Sequence, residues 1–343
     1  MVHLLLQSVK LYSMSPWGGI RVAAVLVLLS FQLPVGLAQE SAAPENPLPE
    51  TSALQPLDLT PAQRSQLQQA MQAHDYVVAE KLLLPQIQAD PHSERGGRLL
   101  AFAGVVYFLD RDYMNAAIAW KKSEAIAPLE PQLEFSLAMA YIRMERPDWA
   151  RPVLTSLAAH DSRDALYPYW LGRIDYDARE YSKAIGEFQH AIALDARMSR
   201  AYDNLGLCYY HQNQNDLAVQ NYQTAITLDR AANDPSAWPY LNLAVTLRLL
   251  NRAPEAEADL RQAIQIDPSL AQAHFQLGIV LEGMNQAQAA IAELQTAARL
   301  DTSYAEPHIA LARIYHKLGQ EATAREEEQA YLHLRAHAAS KVN

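Results

Sequence analysis

Small residues recur along this chain at one interval. Gly104, Ala138, Gly172 and Gly206 are each 34 positions apart, and Ala244, Gly278 and Ala312 continue the series after a single step of 38. Twelve positions beyond each stands an alanine: Ala116, Ala150, Ala184, Ala218, Ala256, Ala290 and Ala324. Leu137, Leu171, Leu205, Leu243, Leu277 and Leu311 directly precede six of the small residues. Tyr107, Tyr141, Tyr209 and Tyr315 stand three positions after them, one helical turn on. Trp120, Phe188 and Tyr222 stand four positions after the alanines, and Leu154, Leu260 and Leu294 take that place in other units. Apolar residues three and four apart, on one long fixed period, predict repeated pairs of amphipathic helices. The two small residues of a unit are expected to face each other, because larger side chains would hold the helix axes apart. Pro128 and Pro268 end two of the units, where a helix must stop.

A weaker unit is predicted before this series, within 60–93, with Tyr76, Ala79, Leu83 and Pro91 in place. Thr60-Pro61 reads as a helix start, a cap followed by proline at the first helical position. Seven stronger units fill 97–343, the last with a capping helix. The total is about eight units and sixteen helices. The extra four residues fall within 231–236 and are expected to lengthen one inter-unit turn. The last unit has Glu328 where others carry an aromatic or leucine. Nothing is expected to stack beyond it, so Arg325 to Glu328 read as a solvated face.

The pattern resembles the tetratricopeptide repeat: Trp-x-x-Leu-Gly-x-x-Tyr, then Ala-x-x-x-Phe, then Pro, over roughly 34 residues. The unit Ser199–Arg230 shows it best, with Tyr202, Leu205, Gly206, Tyr209, Ala218, Tyr222 and Ala225 in place. It departs at Arg230, where the family has proline. The resemblance implies an all-α fold, a right-handed superhelical solenoid of helix-turn-helix repeats. It also implies a concave groove, lined by the first helices, that holds an extended or helical segment of a partner protein. The family's inward places lie three before, one after and four after the small position. On this chain those places suggest a groove centred on Phe135, Met139, Tyr169, Arg173, Tyr176 and Tyr210. Asn204 and Asn242 are placed to bond a partner's backbone. Aromatics and arginine dominate binding energies in such surfaces. The alternative reading of each aromatic is that it fills the gap between adjacent first helices. The lysines of the family's carboxylate clamp are missing, so a chaperone tail is not the expected ligand.

Composition narrows the rest. Half of the residues are apolar and 19% are charged, with a formal net charge of −10. Residues 1–38 hold two basic residues, Lys10 and Arg21, and no acidic ones, so the remainder carries −12. An acidic surface argues against general nucleic-acid binding. The apolar run Val22 to Leu29, behind Arg21, is short for a membrane span. With Gly36-Leu37-Ala38 after it, the segment reads as a signal peptide cut after Ala38. Met14 as the start would give a shorter leader. The expected protein is exported, periplasmic or extracellular, with an uncleaved membrane anchor as the other reading. Residues 39–59 read as a linker, with Pro44, Pro47, Pro49 and Pro56 in it. Cys208 is the single cysteine, so no intramolecular disulfide exists.

Signals for chemistry are weak. His333 and His337 share a helix face but lack a third ligand. His274 and His308 recur 34 apart and read as packing residues. His211, near Tyr210 and Asp203, has no nucleophile beside it. No phosphate loop, Gly-x-Ser-x-Gly or His-Glu-x-x-His occurs. The expectation is a protein-binding scaffold without catalytic residues, cofactor or metal, in envelope assembly or secretion. The alternatives are a recruiting subunit for a separate enzyme, and a helical groove for a lipid or glycan.

Overall fold

A computed structural model describes residues 57–340; the proposed leader and nearly all of the linker lie outside the described residues. Among the described residues there are sixteen helices and no strand. In chain order they are α1 (Pro61–Gln72), α2 (Tyr76–Ala89), α3 (Glu94–Leu109), α4 (Tyr113–Glu124), α5 (Pro131–Arg143) and α6 (Pro147–His160). Then come α7 (Leu166–Asp177), α8 (Tyr181–Leu194), α9 (Ser199–His211), α10 (Asn215–Ala232) and α11 (Trp238–Leu249). The series ends with α12 (Ala253–Ile266), α13 (Ala271–Gly283), α14 (Ala287–Leu300), α15 (Glu306–Lys317) and α16 (Glu321–Ser340). Each odd helix and the even helix after it form one unit, giving eight stacked units in a helical solenoid.

Each helix packs on its chain neighbours. From α7 to α15 each odd helix also meets the next odd helix, while the even ones stand further apart. The odd helices therefore line the inner side of the curve. The core runs along the stack as a file of interlocked units, as a solenoid requires.

Start and turn signals are local. Thr60 accepts from the Gln63 amide and the Gln63 side chain returns a bond to the Thr60 amide, a full capping box. Asp75, Ser93 and Asp112 cap the next three helices by accepting from Val78, Gly96 and Asn115. Between the two helices of every unit the chain passes through one left-handed residue. These are His74, Arg111, Glu145, Arg179, Asn213, Asn251, Asn285 and Gly319, with φ from 55° to 73°. The next amide then bonds five residues back, as from Arg146 to the Tyr141 carbonyl at 2.8 Å, which closes the first helix. Asparagine and glycine suit this backbone; Glu145 does not. Glu145→Gly is expected to raise stability by about 0.5–1 kcal/mol, since lost strain outweighs the added chain entropy. Thermal melting checks this, and a lower melting temperature would refute it.

The structure corrects two expectations about packing. The extra four residues do not lengthen a turn. They add a helical turn to α10, which has 18 residues against 14 in α8, α12 and α14. Ala231 and Ala232 continue the helix, and Asn233 stops it in the left-handed conformation at φ 56°. Arg230, in the added turn, donates to the Tyr240 hydroxyl at 2.7 Å and ties α10 to α11.

The small residue of the first helix also does not face the alanine alone. A Cβ on Gly104 would lie 2.3 Å from the Trp120 indole nitrogen, on Gly172 2.8 Å from Phe188, and on Gly206 2.6 Å from Tyr222. The glycine is the seat of the large side chain sixteen positions on. Where that side chain is Leu154 or Leu260, the seat is Ala138 or Ala244. Gly278, under Leu294, is the exception. The alanines at the second position are fully buried and let the axes close.

Candidate functional site

The inner side of α5, α7, α9 and α11 carries the residues expected to bind a partner. Six of the eight are buried. Phe135 and Met139, at 6% and 2% exposure, belong to the core around α5, and the Phe135 ring meets Tyr167 at 5.9 Å. Tyr169 and Tyr176 are each 5% exposed. Tyr169 receives the Arg200 guanidinium over its ring at 5.0 Å and a bond from the Asn204 amide at 3.4 Å. Tyr176 bonds His211 Nε2 at 3.1 Å, and His211 stacks flat on Tyr181 at 4.7 Å. Burial, with the Arg179 charge nearby, lowers the His211 pKa and keeps this ring neutral.

Both asparagines are used inside the stack. Asn204 Nδ2 donates to the Arg200 carbonyl at 2.7 Å. Asn242 Nδ2 donates to the buried Asp203 carboxylate at 3.0 Å. Packing between adjacent first helices thus accounts for these six side chains as they stand. Arg173 and Tyr210 alone of the eight keep partial exposure.

Arg248, four positions after the small residue Ala244, also falls on the inward stripe. It lies one unit beyond Tyr210 at the equivalent position, partly exposed on the inner face of α11. Its charge and the Tyr210 hydroxyl act on each other. Arg173, Tyr210 and Arg248 therefore form a basic and aromatic strip along α7, α9 and α11. The signal that would have selected Arg248 is an arginine among the leucines and valines of α11. Cys208, beneath this strip, is fully buried; desolvation raises its thiol to about 12, so it stays protonated.

The carboxy-terminal units are held differently. His274 meets Glu293 at 2.7 Å and His308 meets Glu327 at 2.6 Å, the same contact one unit apart. His316 lies between Glu321 at 3.0 Å and Glu328 at 3.1 Å. The histidines that read as packing residues are thus pairing residues, and Glu327 and Glu328 are not a purely solvated face. Arg313 and Lys317 both bond Glu282 of the preceding unit.

This cap responds to pH in one direction. Hydrogen bonds to Glu328 and then Glu321 raise the His316 pKa above its ordinary 6.5. A raised folded pKa means that the stabilisation is complete below the unfolded value and is lost as pH rises through the folded one. Amide exchange in α16 is expected to quicken between pH 6 and pH 8 beyond the intrinsic rate. His316→Gln should abolish that excess, and an excess that persists in the variant would contradict the assignment.

The packing of glycine under an aromatic sixteen positions on occurs in three units, at Gly104, Gly172 and Gly206. Residues 135–196 and 197–269 match two models of the tetratricopeptide repeat. Over residues 135–269 the chain matches tetratricopeptide repeats. A Dictyostelium discoideum protein described as a DnaJ homolog subfamily C member 7 homolog is 26% identical over 157 residues, which is 42% of this chain and 29% of that protein. The chain thus spans less than a third of that relative's length. Among solved structures, a tetratricopeptide repeat protein from Parabacteroides merdae is similar with a TM-score of 0.60 and 14% identity, over 74% of this chain and 97% of that one. Yeast Tom70 is similar with a TM-score of 0.51 and 18% identity, over 78% of this chain and 59% of that one. Such low identities speak for the fold. The fold is consistent with a protein-interaction scaffold.

Proposed function

We propose that the chain is an interaction scaffold that holds an extended segment of a partner protein along the inner face of α5 to α11. One observation carries this reading. The partly exposed side chains of the central inner face, Arg173, Tyr210 and Arg248, are of the types that dominate binding energies, and they lie over buried aromatics that fix the surface. A preformed surface loses little entropy when it binds. The apolar N-terminal run and its small-residue ending support a place outside the cytoplasm, in envelope assembly or secretion. Recovery of a mature chain beginning at Gln39 tests that part.

The groove is tested by site-specific cross-linking in the native cell. A photoreactive phenylalanine analogue replaces Tyr210 on the inner face, or the exposed Gln223 on the outer helix α10. The same partner protein should be captured from the inner position and not from the outer one. Equal capture at both, or capture at neither, refutes the groove. In a separate pull-down without the photoreactive residue, Tyr210→Ala should recover less of the same partner than the unaltered chain. It is a cleaner variant than Tyr169→Ala, because Tyr169 is buried and its loss would disturb packing.

A further inference from the structure

We propose that the outer faces of α2 and α4 lie on an anionic phospholipid surface, so that the first two units dock on a membrane while the inner side stays free for a partner segment. The face is apolar in a way that stacking does not require. Val77 and Val78 on α2 are 53% and 41% exposed, and Met114 and Ile118 on α4 are 50% and 43% exposed. Each of the other outer helices exposes at most one large apolar side chain among the described residues. The buried alanines Ala79 and Ala116 set the register of the two helices. Counted from them, Val77 and Met114 hold one place, and Lys81 and Ile118 another. Those two places hold Ser182 and Gly186 on α8, and Gln288 and Ala292 on α14. Units with polar or small residues there stack equally well, so the apolar side chains of α2 and α4 are free for another contact.

Charge decides what the face fits. Lys81 stands three positions after Val78 and four after Val77, and Lys122 four after Ile118, so each lysine shares a helical stripe with apolar neighbours. Both lysines are exposed and pair with no carboxylate among the described residues. The single carboxylate of α2, Glu80, accepts from the Tyr107 hydroxyl of α3 at 2.9 Å, and that of α4, Glu124, pairs with Lys121. Exposed apolar tips beside lysines with long apolar stems suit the headgroup boundary of an anionic bilayer: the tips enter it and the ammonium groups stay with the phosphates. The even helices form the outer side of the curve, and a convex face meets a broad surface rather than enclosing a segment. The chain as a whole carries −10, so the same lipid repels its other faces and the docking has one orientation. A second copy meeting this face across a two-fold axis would set the lysines against each other.

The test uses the full chain with a nitroxide label on one introduced cysteine, since Cys208 is buried and stays protonated. One label replaces Ile118, and the other replaces Gln220, the equivalent exposed place on α10. Vesicles of phosphatidylglycerol and phosphatidylcholine in equal parts should shield the label at 118 from a water-soluble nickel chelate and leave the label at 220 open. The position of shielding separates this face from the apolar run Val22 to Leu29, which would carry both labels to the vesicle without covering either. The lipid concentration for half-shielding should rise about fivefold in Lys122→Gln, the effect of one lysine near an anionic surface. It should rise at least about tenfold when Val77→Ser and Met114→Ser are combined. These side chains are exposed, so the melting temperature should stay unchanged. No shielding at 118 overturns the proposal, and so does equal shielding at 118 and 220. Equal shielding by phosphatidylcholine alone also overturns it, because the lysines then select nothing. Broadening between labels without vesicles means that a second copy covers the face, and overturns it as well.

Discussion

Trp120→Ala is expected to cost about 3–5 kcal/mol and to unfold the amino-terminal units ahead of the rest. Trp120 is fully buried, and its indole nitrogen donates to the Ala101 carbonyl at 3.0 Å. Its ring fills the seat left by Gly104 and lies 5.8 Å from Phe108. Truncation therefore removes a large apolar surface, leaves a cavity between α3 and α4, and deletes the indole bond that ties α4 to α3. Because each unit touches only its neighbours, the damage should stay local. Urea unfolding followed by amide exchange would show α3 to α5 opening first while α13 to α16 keep their protection. A loss below about 1 kcal/mol would mean that Trp120 is not the keystone of its unit.

Gly172→Ala should cost about 1–3 kcal/mol, and Phe188→Leu in the same chain should restore most of it. The added Cβ would fall 2.8 Å from the Phe188 ring, which is fully buried and has nowhere to move. It would also meet the Glu187 Cβ at 3.2 Å. The chain contains the compensated version already, as Ala138 with Leu154 and Ala244 with Leu260. The double variant rebuilds that pair in another unit. Chemical denaturation of the four members of the cycle gives the coupling. Additive losses would show that the glycine and the aromatic are not a matched pair.

Much of the fold can be read from this sequence. Gly206, Ala218 and Tyr222 keep fixed offsets because helix pitch fixes which residues share a face, and this geometry does not depend on distant parts of the chain. Thr60-Pro61 is legible for the same reason: a cap acts within one turn. The matched sizes at positions such as Gly172 and Phe188 were also written in the sequence, but only the touching atoms show that glycine seats the ring. The four added residues illustrate the limit. Turn and helix are both compatible with Asp229 to Asn233, and the bond from Arg230 to Tyr240, across to the next unit, favours the helix.

The candidate site was less legible. The resemblance supplied the inward places, among them that of Tyr169, and put Asn204 and Asn242 two positions before the small residue. Exposure does not follow from it, since it depends on how closely one first helix approaches the next. That approach buries six of the eight expected residues and engages both asparagines inside the stack. It leaves Arg173, Tyr210 and Arg248 part-open.

The sequence alone determined the period, the number of units and the start of the first helix at Thr60-Pro61, because each rests on spacing and local chemistry. The tertiary structure decided which inner residues remain open and where the added turn goes. Those outcomes depend on distances between helices that are remote in the chain, and no one-dimensional pattern encodes them.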